Sequence, residues 1–199
     1  HTVICYLNYT FIISFHIMKK SLLFLYSMVG LSLTAAPDSE SYPINFSENQ
    51  NYTHASRRLN GISLNSPSDG LQSVSIASSS TVYNIVADQQ FFAQPGETVT
   101  PTFQFAGTWM NGFVYLDRGN DGGFDALIGA DGTISEGSDI MSFSYFNCAN
   151  GFSCNSTGAI NSNGNVLNPP VFTIPTDLPH GLYRMRYKVD WDCMDPAGR

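Results

Sequence analysis

Charge is scarce in this chain of 199 residues: Asp, Glu, Lys and Arg together make up only 13%. Ser, Asn, Gly and Thr carry the polarity instead, and aromatics reach 13%. Hydroxyl and amide polarity beside many aromatics suits an extracellular β-protein better than a helical enzyme. Catalytic signatures are missing too. There is no H-E-x-x-H, and GFSCN lacks the second Gly of G-x-S-x-G. From Pro37 onward the histidines are His54, in a polar stretch, and His180, in the turn PHG. Neither has a nucleophile at a suggestive spacing. Glycosidases need two carboxylates ~5–10 Å apart, but the aspartates here cluster in loops, without the E-x-D-x-x-E strand pattern of jelly-roll glycanases. A non-enzyme is expected.

Long apolar runs are absent as well. No run reaches the ~18–20 residues of a membrane-spanning helix, and Asn8 and His16 interrupt the first candidate. The second, SLLFLYSMVGLSL, follows Met18-Lys19-Lys20 and precedes Thr34-Ala35-Ala36. A basic start, an apolar middle and a small-x-small end make residues 18–36 a secretory signal peptide, cut after Ala36. Residues 1–17 then lie upstream of the natural start and are expected to have no structural role. No Cys near the cut suggests a lipid anchor. The expected location is secreted, periplasmic or cell-surface, with no membrane span after cleavage.

Basic residues are few. Of nine Lys and Arg, two leave with the leader, so the chain from Pro37 has seven against sixteen acids, a net of −9. Such a surface excludes nucleic acid as a partner and tolerates divalent cations. Cysteines are also few. Cys148 and Cys154 flank the short loop ANGFS and can bridge in an oxidising compartment; Cys193 is then unpaired, or takes one of the other two. Without C-x-x-C or a neighbouring His, zinc is not indicated.

What is present is alternation. In LYRMRYKVDWD, Tyr183, Met185, Tyr187, Val189 and Trp191 fall on one face, and Arg184, Arg186, Lys188, Asp190 and Asp192 on the other. Five strict alternations cannot be laid on a helix without splitting both sets. Val99, Phe103 and Phe105 alternate with polar residues, as do Met141, Phe143 and Tyr145; GFVYLD reads as a central strand. PPVFTIP, bounded by prolines, reads as an edge strand. Turn signals such as PSDG and Pro95-Gly96 separate the runs. The expected fold is all-β: seven or eight strands in an antiparallel, jelly-roll-like β-sandwich. It is expected as one domain over residues 37–199, C-terminally incomplete because the chain stops soon after its strongest strand.

Three features are candidates for function. The loop LDRGNDGGFDALIGADG is dense in Asp and Gly. Counted as a calcium loop from Asp117, it has Asp121 and Gly122 in place but Gly119 and Ile128 where a ligand and a Glu belong. A looser Ca²⁺ site from Asp117, Asn120, Asp121 and Asp125 competes with a plain Gly-rich turn whose aspartates cap backbone amides. Trp109, just before a strand, can offer an aromatic face to a sugar, with Tyr83 or Phe91 nearby, or can be core. Arg184 and Arg186 can bind sugars or acidic polymer, or belong to a solvated sheet face with cross-strand charge pairs. No other cofactor is indicated.

VYLDRGNDGGFD, the acidic stretch Glu136–Asp139 and FTIPTDLPHGLYRMRYKVDWD together resemble the GEVED-type domain pattern over about residues 112–192. The chain departs from it at Arg118-Gly119, where the family has an aromatic and Asn. The resemblance implies a non-catalytic β-sandwich module of a secreted bacterial protein, attached to glycoside hydrolase, peptidase or adhesion domains. The function expected is that of a carbohydrate-binding or spacer module of a larger glycan-degrading protein. The alternative is a calcium-stiffened structural or adhesion module at the cell surface.

Overall fold

A computed structural model describes residues 9–17, 56–76, 83–146, 148, 153–158 and 168–191. Residues 18–36, expected to be a signal peptide, and His54, Asp192 and Cys193 lie outside them. Among the described residues there is no helix, and the strands are β1 (Tyr9–Ile17), β2 (Arg58–Ser66), β3 (Gly70–Ser75), β4 (Tyr83–Ala93), β5 (Thr98–Ala106), β6 (Met110–Leu116), β7 (Ile140–Ser144), β8 (Phe172–Thr173) and β9 (Leu182–Trp191). They form a five-stranded sheet, ordered β4-β1-β9-β6-β7, and a four-stranded sheet, ordered β3-β2-β5-β8. All pairings are antiparallel except β1 with β4. The fold is all-β, as the alternation requires.

Residue type and place agree strand by strand. β6, apolar on both sides, is buried at every position between β9 and β7. β8 is two residues long, lies between prolines and sits at the edge of its sheet, where missing N–H donors do least harm. In β5, Val99, Pro101 and Phe103 are buried and the residues between them exposed. One core cluster draws on both sheets: Leu59, Ile62, Val99 and Phe103 from one, Phe91, Val114, Met185, Tyr187 and Val189 from the other. Phe103 meets Tyr187 edge-on, ring centroids 6.0 Å apart. Each such large apolar side chain, once buried, contributes about 1.5–3 kcal/mol.

Two expectations need correction. Tyr9–Ile17 is not idle: β1 pairs with β9 from Tyr9↔Val189 to His16↔Leu182, and with β4 from Thr10↔Tyr83 to Ile17↔Ala93. An uncharged run of aromatic and β-branched residues satisfies the strand preference, and here it supplies hydrogen-bond partners to two edges at once. The second concerns β7. Its pairing with β6 slips between Val114 and Tyr115, so Val114 faces Ser142 but Tyr115 faces Ile140. This bulge turns Met141 towards the inter-sheet core, whereas Phe143 and Tyr145 belong to a second cluster.

Candidate functional site

The Asp-rich loop begins where β6 ends. Asp117 is fully buried, and its two carboxylate oxygens accept hydrogen bonds from the backbone N–H of Asp121 (3.2 Å) and Gly122 (3.1 Å). Asn120 and Gly122 have positive φ, 49° and 88°, which folds the chain back over Asp117. Asp121 accepts from the Gly123 N–H at 2.9 Å. Asp139 closes the far end, accepting from the N–H groups of Arg118 (3.1 Å) and Asp125 (2.8 Å). Its pKa is raised chiefly by burial, which outweighs those two amides. The carboxylates are thus spent on the backbone. Asp121 and Asp125 are exposed while Asp117 lies beneath them, and among the described residues no three His, Cys, Asp or Glu gather to hold a metal. The four residues of the looser calcium site are not brought together as a ligand set.

The same loop explains a second result. Arg184, Arg186, Lys188 and Asp190, one face of β9, are all buried. They form neither an open binding strip nor a solvated sheet face. Phe124, Ala126, Ile128 and Ile134 of the loop pack onto Phe113, Tyr115, Phe143 and Tyr145, covering this side of the sheet with a second apolar cluster. The cations sit among its rings: Arg186 lies 5.7 Å from the Tyr115 ring and 5.4 Å from that of Phe124, and Lys188 5.2 Å from that of Phe113. Lys188 also pairs with Asp190 at 2.8 Å. A buried charge needs such company, because removal from water costs several kcal/mol per ion.

The opposite holds at the turn between β5 and β6. Trp109 is 47% exposed and has φ 61°, a left-handed conformation. A bulky residue there is an outlier that the surroundings must enforce. Its ring stacks on Trp191, with centroids 6.1 Å apart and planes 20° from parallel, and lies 6.0 Å from Phe146. Above Trp191 lies the guanidinium of Arg57, 3.5 Å from the ring centroid. Gly107, φ 110°, lets the turn close on the Arg57 stem: a Cβ there would come within 3.1 Å of the Ser56 carbonyl oxygen and 3.2 Å of Arg57 Cγ. Phe146 is fixed by its N–H donating to buried Asn111 Oδ1 at 2.7 Å. Two residues further on, Cys148 is bonded to Cys154. Phe91, expected near Trp109, is instead buried in the inter-sheet core; the side chain of Tyr83 is outside the described residues.

Arg57, Trp191 and Phe146 are therefore the site residues that sequence reasoning missed. Arg57-Arg58 stands out as a basic pair, but nothing local links it to a tryptophan more than a hundred positions away. Comparison with known protein families, curated proteins and solved structures finds no match to this chain.

Proposed function

We propose that the chain is a non-catalytic glycan-binding module of an exported protein, keeping an attached catalytic or adhesion domain close to its polysaccharide. One observation carries this reading: Trp109 is 47% exposed, in a backbone conformation that disfavours it, and is stacked on Trp191. Aromatic faces of this kind receive the C–H faces of sugar rings. The GEVED-type resemblance supports the same role.

The test is binding of the purified full chain to soluble oligosaccharides, with retardation in polysaccharide-containing gels. Trp109→Ala is expected to weaken binding at least tenfold while the melting temperature stays within a few degrees. Equal binding by the variant, or no sugar binding at all, ends the proposal. Export belongs to the reading. Expressed in a bacterium with its own residues 18–36, the chain is expected outside the cytoplasm, starting at Pro37. Such a cut removes β1 and leaves the facing edges of β4 and β9 without that partner. Recovery of exported chain that still contains Tyr9–Ile17 overturns cleavage after Ala36.

A further inference from the structure

We infer that the slot between β4 and β9 is a docking site for a single β-strand donated by another polypeptide; this rests on the export reading above, in which the cut after Ala36 takes β1 away. β1 lies inside the five-stranded sheet, not at its edge, with eight residues in register with β9 and eight with β4. β4 has no other neighbour in that sheet. Without β1, both facing edges lose the main-chain partners it supplies, and a sheet edge of this kind recruits a strand from another chain. The two walls of the slot keep ties of their own. β9 pairs with β6 from Met110↔Trp191 to Leu116↔Met185. β4 is tied at Phe92, whose N–H donates to Asp69 at 3.0 Å and whose carbonyl accepts from Ser66 Oγ at 2.8 Å, while Phe91 is buried in the core. Walls two strand spacings apart, about 10 Å, admit one strand.

The register on β9 states what the strand must be. Opposite the core residues Tyr183, Met185, Tyr187 and Val189 stand Phe15, Ile13, Phe11 and Tyr9, all large and apolar or aromatic. Opposite the buried cations Arg184, Arg186 and Lys188 stand Ser14, Ile12 and Thr10, none of them basic. Residues directly opposite in an antiparallel pair share one side of the sheet, and like charges there repel. The donated strand therefore runs antiparallel to β9, with bulky apolar residues at alternate positions and no Lys or Arg between them. A second copy cut at the same place has little to offer among the described residues, since β2, β3 and β5 to β9 keep their own sheet neighbours. The donor is a different polypeptide.

The exported chain, its start at Pro37 verified by mass, is titrated into a fluorescent Tyr9–Ile17 peptide carrying a soluble polyether tail, and anisotropy is read. Saturable binding, one peptide per chain, is expected. A peptide with Phe11→Ser and Ile13→Ser is expected to bind at least ~10-fold more weakly, and one with Thr10→Lys and Ser14→Lys to bind more weakly than the parent. Benzoylphenylalanine in place of Phe11 is expected to crosslink to β9 or β4. The uncut full chain, made without export and oxidised in vitro, is expected not to bind, because β1 fills its slot. No binding by the chain that starts at Pro37 overturns the inference and leaves the export and glycan readings standing. So does equal binding by the uncut chain, or equal affinity for all three peptides. A Pro37 chain that is dimeric and binds no peptide has a second copy in the slot, which also overturns it. Exported chain that still contains Tyr9–Ile17 ends the cleavage reading, and the inference falls with it.

Discussion

The Asp-rich loop and the Gly107–Trp109 turn sit at opposite ends of β6 and have exchanged the roles their composition suggests. The loop has the charge and glycine of a ligand cage, yet its buried carboxylates accept from their own backbone and its apolar residues roof a second core. The turn has only one large side chain, and presents it to solvent. Density of polar atoms is therefore a poor guide to a site; what counts is which groups the fold leaves uncommitted. Asp117, buried beneath its loop, uses both carboxylate oxygens to hold the backbone of Asp121 and Gly122 in place. Trp109, by contrast, is 47% exposed.

The sharpest way to break this contrast is to remove Asp117. Asp117→Ala leaves the Asp121 and Gly122 amides without their acceptor, and about 2–3 kcal/mol of stability should be lost, as for hydrogen bonds to a charged group. Asp117→Asn keeps one acceptor and should lose about half of that. Both are read by urea denaturation, and neither should change sugar binding or the tryptophan emission maximum of the folded chain. Full stability combined with lost binding would make the loop a functional site after all.

What could be read beforehand follows from the range of each interaction. The strands β5, β6, β8 and β9 were legible because alternation and proline placement are local, and so was the Cys148–Cys154 bond, which closes a loop of a few residues. Alternation says which side chains share a face, however, not what covers that face. Hence Arg184, Arg186 and Lys188 read as solvent-facing, although Phe124, Ile128 and Ile134 return from a distant loop to cover their side of the sheet. β1 was hidden differently: residues 18–36 have the pattern expected of an export signal, so Tyr9–Ile17 read as lying upstream of the natural start, although its residue types already favour a strand. The aromatic platform was illegible in principle. Arg57, Trp109, Phe146 and Trp191 come from separate segments, and only the long-range pairings Arg58↔Ala106, Gly112↔Ser144 and Met110↔Trp191 bring them together.

The smallest expected effect tests whether Trp109 is held there against its backbone preference. Trp109→Ala and Trp109→Gly both delete the indole, the stack on Trp191 and the contact with Phe146, so both should lose sugar binding equally. They differ in what remains at φ 61°. Alanine keeps a Cβ that crowds the neighbouring carbonyl in the left-handed region, whereas glycine does not. The glycine variant should therefore be more stable than the alanine variant by about 1 kcal/mol, measured by denaturation under identical conditions. Elsewhere in a strand or turn glycine is the weaker choice, because the unfolded chain gains more freedom than the folded one. A glycine variant no more stable than alanine would mean that the turn relaxes once the indole is gone, and that no strain holds Trp109 outward. A gain of the expected size would mean that this position keeps an indole where glycine fits the backbone better, a conformational cost offset in the fold by its contacts with Trp191 and Phe146.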